Sequence, residues 1–157
     1  MHYWLGIVSK EHVQRGVQGG FAQVCHGKKA PLLHLSAGDG FIYYSPKIAM
    51  YCNKPCQCFT ALGTITTGKV YQVEMTPEFH PFRIDVKYAP SKDAPLHELF
   101  NLLELTQGKN WGMQLRKGLL EISKADFYAI ANAMDVIPNA TNNFTFEPRQ
   151  SAENRRS

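Results

Sequence analysis

One run of the chain, Phe41-Ile-Tyr-Tyr44, is apolar on both alternating faces. Such a run predicts a strand covered on both sides, and therefore central in a sheet, because a half-exposed strand would alternate with polar residues. Gly38-Asp39-Gly40 before it supplies a tight turn, and Pro46 marks its expected end. The remaining elements are expected to pack around it.

Residues 2–8 set Tyr3, Leu5 and Ile7 against Trp4, Gly6 and Val8, a period of two that predicts the first strand. Ser9 follows as an N-cap, with a short helix over 10–18 closed by Gly19-Gly20. Residues 21–24 read as a brief extended piece and 26–29 as a basic loop. Residues 58–67 and 70–75 predict two strands joined by a hairpin tip at Gly68-Lys69. The cleanest half-buried strand is 82–88, where Phe82, Ile84, Val86 and Tyr88 alternate with Arg83, Asp85 and Lys87. Leu99, Leu102, Leu103 and Leu105 have helix-like spacing, and a stretch between glycines holds Trp111 and Arg116. The closing helix has Ser123 as its cap, Asp126 at the capping-box position, and Phe127, Ile130, Ala131 and Met134 as its core face. Short strands, one helix after the first and one at the end predict a compact α+β barrel with helices outside.

Composition narrows the function classes. At 157 residues the chain is most simply one domain that buries roughly two-thirds of its unfolded surface. Residues 1–137 are expected to form it, and 138–157, rich in Asn, Ser, Arg and Thr, a mobile tail. The apolar runs fall short of the roughly 20 residues that span a bilayer, so no membrane partner is expected. The first residues lack the basic start and apolar core of a secretory signal, which makes the cytoplasm the expected compartment. There Cys25, Cys52, Cys56 and Cys58 are expected as reduced thiols, and the Asn-x-Thr patterns at Asn139 and Asn143 as chance matches. The spacing Cys52-x3-Cys56-x-Cys58 is not that of a zinc site, and no metal or other cofactor is expected. A net charge of +4 permits an anionic partner.

No phosphate loop, dinucleotide fingerprint, nucleophile elbow or metalloprotease helix is present, nor a carboxylate pair on one helical face. What remains is a set of aromatics, Trp4, Phe21, Tyr43, Tyr44 and Trp111, interleaved with Ser9, Gln23, Lys28, Ser45 and Arg116. In a barrel mouth such a set can stack one base and bond its edge. The plainer alternative is that the rings fill the core.

Tyr3-Trp4, Gly20-Phe21-x-Gln23-x-x-His26-Gly27-Lys28, Pro31-Leu32, Gly38-Asp39, Tyr44-Ser45-Pro46, Phe59-Thr60-Ala61-x-Gly63, Trp111-Gly112-x-x-x-Arg116-x-Gly118 and Asp126-Phe127 occur in this order. Together they resemble the EVE domain, a PUA-like family related to ASCH and YTH domains, over about residues 3–134. The resemblance implies a PUA-like pseudo-barrel of mixed strands with a few flanking helices. It also implies a nucleic-acid binder, for RNA or DNA, that accepts a single-stranded or flipped base, often a modified one. The implied site comprises Trp4, Ser9, Lys10, Phe21, Gln23, His26, Lys28, Tyr44, Ser45, Pro46, Trp111 and Arg116, with no catalytic residue.

Two departures stand out. Ile84 follows Arg83 where the family often has a second arginine, and Phe21 and Tyr71 stand where YTH domains have cage tryptophans. Two other readings are a small hydrolase of modified nucleosides, with Lys28 and Glu11 as its reactive pair, and a protein-interaction module with a vestigial pocket.

Overall fold

The computed structural model describes residues 1–138 and 146–148. In chain order the elements are β1 (Tyr3–Ile7), α1 (Lys10–Gly19), β2 (Phe21–Ala22), a 3-10 turn (Cys25–Gly27), α2 (Lys29–Leu32), β3 (Gly40–Lys47), β4 (Pro55–Gln72), β5 (Phe82–Tyr88), β6 (Ala94–Pro95), α3 (Leu96–Leu99), α4 (Trp111–Gln114), a second 3-10 turn (Leu115–Lys117), β7 (Leu119–Ile122), α5 (Lys124–Ala133), β8 (Val136–Pro138) and β9 (Phe146–Pro148). Seven strands form one mixed sheet in the order β2-β5-β4-β3-β1-β7, with β6 added to β4. The pair β1 and β3 is parallel and the others are antiparallel.

The α+β class with flanking helices is as expected, but the barrel is not closed. Among the described residues β2 and β7, at the two ends of the path, do not pair. Within the expected tail, β9 pairs with β8, while residues 139–145 and 149–157 lie outside the described residues. Both Asn-x-Thr patterns therefore lie there too.

Strand β3 is central, as its two apolar faces predict. Phe41 and Tyr43 enter one core with Val24, Leu32, Ile84 and Val86, and Ile42 and Tyr44 enter a second with Leu5, Phe59, Phe127 and Ile130. Each such side chain contributes on the order of 1.5–3 kcal/mol by leaving water, so both layers are anchored on one strand. Pro46 does not end β3. It sits where the ladder shifts register between Ser45 and Lys47, and at that irregularity its missing N–H costs no ladder bond.

The expected hairpin at Gly68-Lys69 is absent. Strand β4 runs through 18 residues, pairing with β3 through its first part and with β5 through its last. Gly68 instead lies in a register shift between Ile65 and Val70, with φ +71, and a Cβ there would stand 2.9 Å from the Ala37 nitrogen. The glycine is needed because this bulge presses on the Ser36-Ala37 turn.

The helix expected over the leucines of 99–105 shrinks to the four residues of α3. Asp126 explains how the following segment is held. Its backbone N–H donates to the Ser123 hydroxyl at 3.1 Å, as a cap requires, while its buried carboxylate accepts from the Glu104 and Leu105 amides, each at 2.8 Å. The 103–106 turn is thus tied to α5 rather than continuing as helix. Strand β7, which no periodicity announced, pairs with β1 from Tyr3 opposite Ile122 to Gly6 opposite Leu119.

Replacing Asp126 with Ala strands two amides in the interior and is expected to cost about 2–4 kcal/mol in a denaturant melt. Asp126→Asn, which keeps one acceptor, is expected to cost less.

Candidate functional site

The carboxyl end of β1, the start of α1 and two irregular turns enclose a cleft of about 790 Å³. That volume suits a single small ligand or base-sized group. Its framework side is set by two buried tyrosines. The Tyr43 hydroxyl donates to the Gln23 carbonyl at 3.0 Å and accepts from the Gln23 amide at 2.9 Å, and the Tyr88 hydroxyl donates to the Phe21 carbonyl at 2.8 Å. Burial pushes both phenols well above their ordinary range, so they stay neutral. Together they fix the backbone on which Gln23 enters the cleft.

Three polar side chains converge there. Gln23 accepts from Arg83 Nε at 2.9 Å through Oε1, while its Nε2 has the Met75 thioether at 3.8 Å, a weak acceptor that a ligand can displace. Ser9 starts α1, but its hydroxyl makes no capping bond. His12, one turn on, has a buried Nε2 without a hydrogen-bond partner. Burial holds its imidazole below the ordinary value of 6.5, and Arg15 and then Arg83 push the same way, against a bond to the Gln23 backbone. The ring is therefore neutral at pH 7 and offers one donor or one acceptor at Nε2.

The rim is cationic, with Arg15, Lys28, Lys47, Arg116 and Lys117 among the lining, and no carboxylate lines the cleft among the described residues. The apolar wall is Met50, Met75 and Phe79, exposed to 63%, 40% and 37% respectively. Two non-glycine residues at the rim, Cys25 and His26, have left-handed backbones at φ 53 and 60. Such residues cost about 1 kcal/mol or more each and persist where packing imposes them. Here the packing is Gly118, where a Cβ would stand 2.6 Å from the Cys25 sulfur, and Gly27, which lies against Pro81 and Phe79. Burial pushes the Cys25 thiol up, against the pull of Lys28, so it is a poor nucleophile.

Of the residues expected in the site, Ser9, Gln23, His26, Lys28, Pro46 and Arg116 line this cleft. Six others do not. Phe21 lies under the Arg83 guanidinium, 3.8 Å from the ring centroid, and Trp111 packs edge-on to Phe100 at 5.2 Å against the α5 core. Tyr44 is buried against Phe59 in that same core, and Ser45 is buried and bonded to Thr60 at 2.8 Å. Lys10 is paired with Asp93 at 2.7 Å, and Trp4 lines a separate, shallower cavity. The two positions compared with cage tryptophans, Phe21 and Tyr71, do not form a cage in the cleft either: Tyr71 bonds Asp85 at 2.6 Å.

His12, Arg15, Met75 and Phe79 were not expected from sequence. The spacing Ser9, His12, Arg15 puts three polar side chains on one face of α1 and was the available signal. Glu11 does not line the cleft and faces Tyr51 and Arg15 instead. The four cysteines are free thiols, and among the described residues no three potential metal ligands converge. Among those residues, no helix is long and apolar enough to cross a membrane.

Comparison with known proteins places these features in context. The EVE domain family model matches residues 2–133. The chain is 46% identical over 136 residues to the UPF0310 protein YdcG of Bacillus subtilis, covering 86% of this chain and 93% of that protein. It is 48% identical over 135 residues to a UPF0310 protein of Streptococcus gordonii, covering 85% and 94%. Among solved structures, a protein from Agrobacterium tumefaciens has a TM-score of 0.56 at 8% identity, covering 92% of this chain and 99% of that one. A hypothetical protein from Leishmania major has a TM-score of 0.55 at 15% identity, covering 84% and 93%. These two likenesses concern the fold alone.

Because folding lowers the affinity of His12 for a proton, the unfolded chain protonates first as pH falls through the ordinary imidazole range. The contribution of His12 to stability is therefore complete above about pH 6.5 and is lost below it. Thermal midpoints between pH 8 and 5 are expected to fall more steeply in the native protein than in His12→Gln. An identical acid limb in the two would show that His12 is not the group responsible.

Proposed function

The chain belongs to the EVE domain family, and from that premise we propose that its cleft holds one base of a nucleic acid without catalysing a reaction on it. The observation that supports this most is the pairing of a cationic rim lacking carboxylates with three hydrogen-bonding side chains inside an apolar wall. Nucleic acids are recognised in that manner, cations holding phosphate while polar groups and flat apolar surfaces read a base.

In this reading Ser9, Gln23 Nε2 and His12 Nε2 meet the edge of the base. Phe79 and the thioethers of Met50 and Met75 cover its face, replacing Phe21 and Trp111 in the stacking role. Arg116, Lys28 and Lys117 hold phosphate. A methyl or larger modification on the base would be favoured by the Met-lined wall, whose polarisable side chains adapt to irregular apolar shapes. The cleft is open and furnished with donors, which argues against a vestigial interaction surface. The hydrolase reading would need Lys28 and Glu11 to face each other across it, and Glu11 is turned to Tyr51 and Arg15.

Titration of short RNA and DNA oligonucleotides, plain and modified, at several salt concentrations tests this. Binding is expected to be salt-dependent, with a slope in log affinity against log salt of about −0.7 for each phosphate held. Arg116→Ala is expected to reduce that slope by about one contact's worth and to weaken all sequences alike. Gln23→Ala is expected to weaken the preferred base selectively. Absence of binding across the panel, or binding indifferent to salt, would reject the reading.

A further inference from the structure

A second cavity of about 560 Å³ lies beside the first, and Cys25, Pro31 and Lys117 line both. The two are therefore neighbours, divided by a saddle at which the Cys25 thiol meets the Lys117 carbonyl at 3.5 Å. Lys117 is an exposed residue.

The second cavity has its own flat ring. Trp4 lines it with His34, their ring centroids 6.2 Å apart and the planes inclined by 31°. The indole is fixed rather than mobile, because its Nε1 donates to Asp39 Oδ2 at 3.0 Å, and Asp39 is buried and also accepts from the Ser36 and His2 amides. Gln114 adds an amide to the lining. The one carboxylate there among the described residues, Glu121, is engaged by His2 at 2.6 Å.

We propose that the two cavities are consecutive subsites, and that the ligand is a single-stranded nucleic acid of at least two nucleotides. One base occupies the deeper cleft, the linking phosphate crosses the saddle at Lys117, and the neighbouring base lies on Trp4. This rests on the reading of the cleft given above. A duplex does not fit the same arrangement, since each subsite offers a ring, Phe79 in one and Trp4 in the other, and contact with both needs bases released from their own stack.

The two tryptophans of the chain make the test direct, because Trp111→Phe leaves Trp4 as the sole indole. In that background, random-sequence single-stranded DNA and RNA of two, four and eight nucleotides are compared with mixed nucleoside monophosphates and with an eight-pair duplex at low salt. Fluorescence anisotropy reports binding and Trp4 emission reports the second subsite. The oligonucleotides are expected to quench Trp4 and to bind about tenfold or more tighter than the monophosphates. Lys117→Glu, an exposed change that leaves the core alone, is expected to weaken the oligonucleotides by more than it weakens the monophosphates. Trp4→Leu is expected to do the same.

Oligonucleotides that bind with unchanged Trp4 emission and are indifferent to Lys117→Glu would overturn the second subsite while leaving the first. Tighter binding of the duplex would overturn the single-strand assignment. Failure of every nucleic acid to bind would instead refute the reading of the cleft, and the subsite with it.

Discussion

Strand β3 has no solvent face over most of its length, and the rest of the molecule is arranged to supply both of its covers. One side requires α1, α2, β2 and β5, and the other requires α3 and α5. Since one strand anchors both cores, the two layers cannot slide independently, and the cleft at the end of β1 is held by residues that answer to one framework. Tyr43 carries that constraint outward. Its ring fills the core, and its hydroxyl, the part that cannot be buried without partners, is satisfied by the backbone of Gln23. Core packing and the placement of a cleft residue are thus the same interaction.

The cleft depends on close approaches as much as on charged groups. Cys25 and His26 hold left-handed backbones beside Gly27 and Gly118, and neither glycine has room for a side chain, Gly118 because it meets Cys25 and Gly27 because it meets Pro81 and Phe79. Strain of this kind is maintained by surrounding packing, and the basic residues adjoining the two glycines, Lys28 and Lys117, both line the opening. The neutral state of His12 has the same origin: the burial that makes its imidazole a precise hydrogen-bonding partner also disfavours its proton.

How much of this could be read from the chain alone depended on whether burial was one-sided. Strand β5 and the closing helix were legible because each has one wet and one dry face, which leaves a period in the sequence. Strand β3 was legible because having two dry faces is itself a pattern. Strand β7 left no trace, because four residues of mixed exposure carry no period. Gly68-Lys69 misled because a bulge and a hairpin tip both ask for φ above zero, and only pairing partners far along the chain separate them. In the site, the basic loop at 26–29 and Arg116 were legible from the residues themselves, and the resemblance implied their place beside a pocket. The rings at Phe21, Tyr44 and Trp111 do not line the cleft, which the chain alone concealed because an aromatic looks alike in a sequence whether it faces a ligand, a guanidinium or a neighbouring phenylalanine. His12 was passed over because one helical turn was read for its cap rather than for its polar face.

The apolar wall and the polar floor come from different parts of the chain. Met75 and Phe79 ride on the connection between β4 and β5, and Met50 on the connection between β3 and β4, whereas Ser9, His12 and Gln23 belong to the framework around α1 and β2. Connections accept replacement and insertion far more readily than packed elements do. Related chains can therefore drift in what shape they admit while keeping the same way of gripping it. A repertoire of ligands can arise from one scaffold by editing two surface segments, with no change to the interior.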